Sequence, residues 1–138
     1  MLESPGACPQ VTQGGETEMC RLVPYKDGKK VADIKLHYIE NIAEQAEKCR
    51  NINRIMLFGS SLEDRCTAES DIDIAVFGDR KKAVYLRSKE FKTFQDTVFL
   101  YDLDQDYDIL YFCEGTDHKA GIMEDIKNGI EIYRRRLA

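Results

Sequence analysis

The chain has 138 residues, 25 acidic and 20 basic, for a formal net charge of −5; this is long enough to bury a real core in one domain but short for a polymerase with separate finger and thumb regions. The acidic balance argues against long nucleic acid as a substrate, since neutralising a phosphate backbone needs an extended basic surface. No apolar run approaches a membrane span, the N terminus lacks a basic stretch followed by an apolar one, and the five cysteines, Cys8, Cys20, Cys49, Cys66 and Cys113, show no CxxC spacing, so free thiols in a cytoplasmic protein are expected.

Met1 to about Thr17 is rich in Gly, Pro, Ser, Gln and Thr, and the segment 1–20 is expected to lack fixed structure unless a partner orders it. Residues 21–138 form the single domain. Arg21-Leu-Val-Pro24 reads as a short extended piece, with a turn at Asp27-Gly28. From Val31 to Arg50, Ile34, Tyr38, Ile42, Ala46 and Cys49 recur at helical spacing and predict an amphipathic helix. Asn53 to Phe58 is a buried strand ending at Gly59, and Ser61-Leu-Glu-Asp64 a short helix. The apolar residues of Asp71-Ile-Asp-Ile-Ala-Val-Phe77 alternate and then cluster, as in a strand that becomes fully buried. Lys81 to about Phe94, with Val84, Leu86, Phe91 and Phe94, predicts a helix that crosses over the sheet. Thr97 to Tyr101 is a further short strand or an extended link, and Ile109 to Phe112 a strand. Gly121 to Tyr133, with Ile122, Ile126, Ile130 and Tyr133, reads as a closing helix despite Gly129, with Arg134-Arg-Arg136 complementing the dipole of its last turn. There are no internal repeats or heptads. The expected fold is α/β, a small mixed β-sheet with helices mainly on one face.

One constellation carries chemistry: Gly59-Ser60, ten residues, then Asp71-Ile72-Asp73. Period two along a strand aims both carboxylates the same way, and like charges so placed repel unless a cation lies between them or water surrounds them. Magnesium suits such a pair, because it takes oxygen ligands and binds through one or two carboxylates plus the phosphates of a substrate. At Gly59 the chain must turn, and backbone can approach a ligand closely; the free N–H groups of the following turn would point at an anion. A third acid, Asp108, opens a later strand within Asp102-Leu-Asp-Gln-Asp-Tyr-Asp108. These alternating acids can also simply keep an edge or loop soluble. A calcium loop is disfavoured, since the sixth position from Asp102 is Tyr107 rather than glycine and the twelfth is Cys113 rather than glutamate. Asp108 is preferred over Asp106 because Ile109 to Phe112 continue directly from it. His37 and His118 match no zinc or triad spacing.

The Gly-Ser pair, the ten-residue spacer, the DxD and the apolar strands on both sides resemble the signature of the minimal nucleotidyltransferases, a branch of the DNA polymerase beta-like superfamily. The resemblance spans roughly residues 35 to 135 and leaves Leu2 to about Asp27 outside it. It implies a polymerase beta-like nucleotidyltransferase fold and the transfer of a nucleoside monophosphate from a nucleoside triphosphate, usually ATP, to an acceptor hydroxyl. Carried over, Gly59, Ser60 and Ser61 hold the phosphates, Asp71, Asp73 and Asp108 bind two Mg2+ ions, and Asp108 alternatively accepts the acceptor's proton. The chain departs from many relatives in having Ser61, Glu63 and Asp64 where arginines and a glycine follow the Gly-Ser pair; Arg65, Lys81 and Lys82 are candidates to restore the charge. Stand-alone members of this size look like the antitoxin partner of HEPN-domain toxins, which implies a protein acceptor and a homo- or hetero-oligomer. Alternatives are AMP transfer to a small hydroxyl compound such as an antibiotic, and a binding module that neutralises its partner by contact alone.

Overall fold

The structure, a computed structural model, describes residues 20–116 and 120–136. Two strands, β1 (Leu22–Lys26) and β2 (Lys29–Ala32), form an antiparallel hairpin with its turn at Asp27-Gly28. A four-stranded sheet follows in the order β5-β4-β3-β6, built from β3 (Ile52–Phe58), β4 (Ile72–Gly78), β5 (Tyr107–Cys113) and β6 (Ile130–Arg134). β3 is antiparallel to both β4 and β6, whereas β4 and β5 are parallel. A parallel pair needs a crossover connection, and the helices α2 (Lys82–Tyr85) and α3 (Lys89–Phe99) supply it. The sheet is therefore mixed, as expected from the sequence.

Side-chain alternation divides the core. Ile72, Ile74 and Val76 of β4 join Ile55 and Leu57 of β3 and meet α1 (Leu36–Glu47) and α3 through Ile39, Ile42, Phe91, Phe94 and Val98. Ala75 and Phe77 point the other way and pack with Phe58 and with Ile126 of α4 (Ala120–Lys127). With Tyr85 of α2 added, three helices share the larger core, and one covers part of the opposite face, where Asp73 also projects by the same alternation.

Several predicted boundaries moved, each for a tertiary reason. Val31 and Ala32 lie in β2, and α1 starts at Leu36 after a 3-10 turn at Asp33–Lys35; pairing with β1 claims the first turn of the predicted helix. The predicted helix over Lys81 to Phe94 is two helices. Ser88, extended at ψ 155°, accepts the Phe91 N–H at 3.1 Å and starts α3 anew, a cap of the kind that stabilises a helix start by about 1 kcal/mol. Thr97 to Phe99 belong to α3 rather than to a strand. The closing helix ends at Lys127, because Ile130 and Ile132 bury their side chains as the strand β6 beside β3. Arg134 consequently lies in a strand and pairs with Glu131 at 2.6 Å instead of complementing a helix dipole.

Among the described residues, Cys20, Cys49, Cys66 and Cys113 are free thiols, and no helix is long and apolar enough to cross a membrane. The predicted N-terminal segment, apart from Cys20, and the residues Cys8 and His118 lie outside the described residues.

Candidate active site

β3 and β4 are antiparallel neighbours, so the end of one adjoins the start of the other, and Phe58 stands opposite Asp73. After Phe58 the chain makes one 3-10 turn, Gly59–Leu62, at the position where the sequence predicted a short helix. Gly59 takes φ +82°, and a β-carbon there would collide with Asp73 Oδ2 and lie 3.2 Å from Asp73 Cγ. The absence of a side chain is what seats the Asp73 carboxylate against the turn. Ser60 is tied to the same place, its Oγ donating to the Asp71 carbonyl at 3.5 Å.

The parallel register pairs Asp73 of β4 with Asp108 of β5. Neighbours in adjacent strands stand about 4.8 Å apart in the backbone with side chains on one face. Asp106 lies before β5 begins. Asp71 is exposed on the lip of the sheet, two residues before Asp73. The three acids form one electrostatic group: burial, then the charge of Asp108, then that of Asp71 push the Asp73 carboxyl above its ordinary range. Among the described residues, no lysine or arginine forms an ion pair with any of them.

The other predicted residues are placed as follows. Ser61 is fully buried, and its Oγ has no hydrogen-bond partner, so its side chain is turned into the protein. Arg65 pairs with Glu63. Lys81 and Lys82 follow the far end of β4, roughly 17 Å of strand away from Asp73, and lie too far off to offset the acidic loop after Ser60.

Two residues at this site were not singled out from the sequence. Lys35 and Gln105, 1% and 4% exposed, bond to each other at 2.6 Å between Lys35 Nζ and Gln105 Oε1, and both donate to the Ser70 carbonyl just before Asp71, at 2.7 and 3.0 Å. The only hint in sequence is that Lys35 stands four residues before Ile39 on the buried stripe of α1.

The model of the family described as Polymerase beta, Nucleotidyltransferase matches residues 40–136, a span that contains the Gly-Ser turn and all three carboxylates. The chain belongs to the polymerase beta nucleotidyltransferase family. The mixed sheet and its helices are the architecture of that family's domain, and its members are transferases that act on nucleoside triphosphates, generally with a divalent metal. No curated protein matches the chain.

Whether the residues suit such a metal can be judged from their donor chemistry. Three carboxylates with no protein cation paired to them, one with its ionised form disfavoured by the other two, suit a hard divalent ion. Among the described residues, no group of three His, Cys, Asp or Glu side chains that could hold a metal ion is already assembled. Asp73 and Asp108, paired in register, are the carboxylates that would hold such an ion, with substrate phosphate and water as its remaining ligands.

Proposed function

We propose that the protein transfers AMP from ATP to a hydroxyl group of another protein, and that the acceptor is a HEPN-type toxin for which this chain is the antitoxin. The observation that carries the transferase reading is the register of Asp73 with Asp108 beside a glycine turn that abuts the Asp73 carboxylate. In this reading Gly59 and Ser60, with the N–H of Ser61, bind the triphosphate, and Asp71, Asp73 and Asp108 hold Mg2+. Bound there, the ions would neutralise the phosphates and stabilise charge at the displaced phosphorus. The acceptor oxygen bonds to the α-phosphorus as the bond to the bridging oxygen of the β-phosphate breaks. Pyrophosphate leaves with that electron pair, and the hydroxyl proton passes to Asp108 or, where that carboxylate serves as a metal ligand, to water. Little other covalent work falls to the protein, so positioning and electrostatics carry the rate.

A protein acceptor is supported by the strap that leads into β5. Leu100 and Leu103 are 68% and 76% exposed, with Tyr101 beside them at 46%, and Asp102, Asp104 and Asp106 alternate through the same segment. Exposed apolar residues interleaved with acids, in a segment whose residue Gln105 bonds the Ser70 carbonyl just before Asp71, complement a partner that presents an apolar side chain among lysines or arginines. The ten-residue spacer between Ser60 and Asp71 favours the antitoxin form of this reading.

Intact-mass analysis of a HEPN-type protein encoded beside this chain, after incubation with the chain, Mg2+ and ATP, tests it. A gain of one or more AMP units that is absent with the Asp71→Asn/Asp73→Asn double variant is expected. If that variant neutralises the toxin as well as wild type does, contact alone suffices and the enzymatic reading fails. Transfer only to small hydroxyl compounds would replace the protein acceptor by the second class.

A further inference from the structure

The two strands that carry the carboxylates start from one buried polar clasp. Gln105 Nε2 donates to the carbonyls of Ser70 at 3.0 Å and Asp106 at 2.7 Å, and its Oε1 accepts from Lys35. Lys35 Nζ reaches three acceptors: the carbonyls of Ala68 at 3.3 Å and Ser70 at 2.7 Å, and Gln105 at 2.6 Å. Those are all the donors an ammonium has. A backbone bond from the Ile72 N–H to the Asp106 carbonyl, 3.1 Å, closes the same junction. Burying an ammonium and an amide is costly even when both are satisfied, and an apolar filler would pack the space without that cost. The polar set supplies directionality: it fixes where β4 begins relative to β5. In a sheet a slip of one residue sends a side chain to the opposite face, which here would part Asp108 from Asp73.

We propose that Gln105, oriented by Lys35, is a positioning residue for nucleotidyl transfer, holding the start of β4 against the start of β5 so that Asp71, Asp73 and Asp108 act as one cation-binding set. This rests on the reading of those carboxylates as metal ligands, and the test separates the two. Mn2+ binding to the full chain saturated with a non-hydrolysable ATP analogue, followed by electron paramagnetic resonance of the protein-bound ion, is compared for wild type, Asp73→Asn, Gln105→Leu and Gln105→Glu, with AMP transfer measured alongside and folding checked by circular dichroism. Gln105→Leu removes both donors without changing charge. Gln105→Glu keeps an acceptor for Lys35, which preserves the fold, and adds a negative charge that by itself would tighten cation binding.

Both Gln105 variants should bind Mn2+ about tenfold or more weakly, the range seen when groups that orient metal ligands are lost. Their kcat should fall about a hundredfold, the effect of a displacement of roughly 1 Å, with a smaller change in KM for ATP. Wild-type Mn2+ affinity and turnover in folded Gln105→Leu, or tighter binding in Gln105→Glu, overturns the positioning role while leaving the carboxylate reading intact. Absence of Mn2+ binding in wild type, or binding that Asp73→Asn leaves unchanged, overturns both.

Discussion

Replacing Gly59 by alanine strikes the turn and the carboxylate together. At φ +82° an L-residue carries a backbone cost of about 1–2 kcal/mol. The new methyl would also occupy the space of Asp73 Oδ2 and press on Asp73 Cγ at 3.2 Å, so the carboxylate must rotate away or the turn must shift. A misplacement of roughly 1 Å in a catalytic group lowers a rate about a hundredfold. Gly115 supplies the control: its φ is +81°, but nothing lies within 4 Å of a β-carbon there. Gly115→Ala should therefore lose about 1–2 kcal/mol in urea unfolding and Gly59→Ala at least as much, and only Gly59→Ala should lose about a hundredfold in AMP transfer at saturating ATP. Equal turnover in the two variants would refute the claim that Gly59 exists to seat Asp73.

Asp73→Asn should lower transfer by about a thousandfold or more while raising the melting temperature, because burial and the charges of Asp108 and Asp71 disfavour the ionised carboxylate in the fold; a lower melting temperature in calorimetry would contradict that repulsion. Glu90 accepts the N–H groups of Arg50 and Asn51 at 2.9 and 3.0 Å and the Tyr85 hydroxyl at 2.7 Å. Burial opposes its charge, but these bonds outweigh it and hold the carboxyl below the ordinary glutamate range. A depressed pKa contributes stability that is present above the unfolded value, about 4.3, and lost as pH falls through the folded one. Glu90→Gln should cost about 1–3 kcal/mol at neutral pH and flatten the acid limb of a stability-against-pH curve; an unchanged limb would exclude Glu90 as its source. Leu100→Asp/Leu103→Asp should abolish transfer to a protein acceptor without altering ATP binding by calorimetry, and undiminished protein labelling would place the acceptor elsewhere.

The site was legible in sequence where its signal is local. Gly59, Ser60, Asp71 and Asp73 fall within fifteen residues, and a strand's two-residue period with an obligatory turn is enough to relate them. Asp108 was legible as an acid opening an apolar strand, but its pairing with Asp73 belongs to the sheet. The misread elements share one cause. Ile126 and Ile130 suit a helix at spacing four, and Ile130 and Ile132 equally suit a strand at spacing two; the open edge of β3 decided between them. Val31 and Ala32 were likewise claimed by β1. The inward direction of the Ser61 side chain was not legible, since it depends on what packs over the turn after Gly59.

By itself, the sequence determined the α/β class, the carboxylate pair and the glycine turn, because backbone periodicity and the freedom of a residue without a β-carbon act over a few neighbouring positions. Only the tertiary structure decided that Asp108 stands beside Asp73, that β6 closes the sheet, and that Lys35 and Gln105, 70 residues apart, share a buried bond at the site. Those outcomes depend on strand register and on partners for buried polar groups, which are settled by contacts between segments remote in the chain.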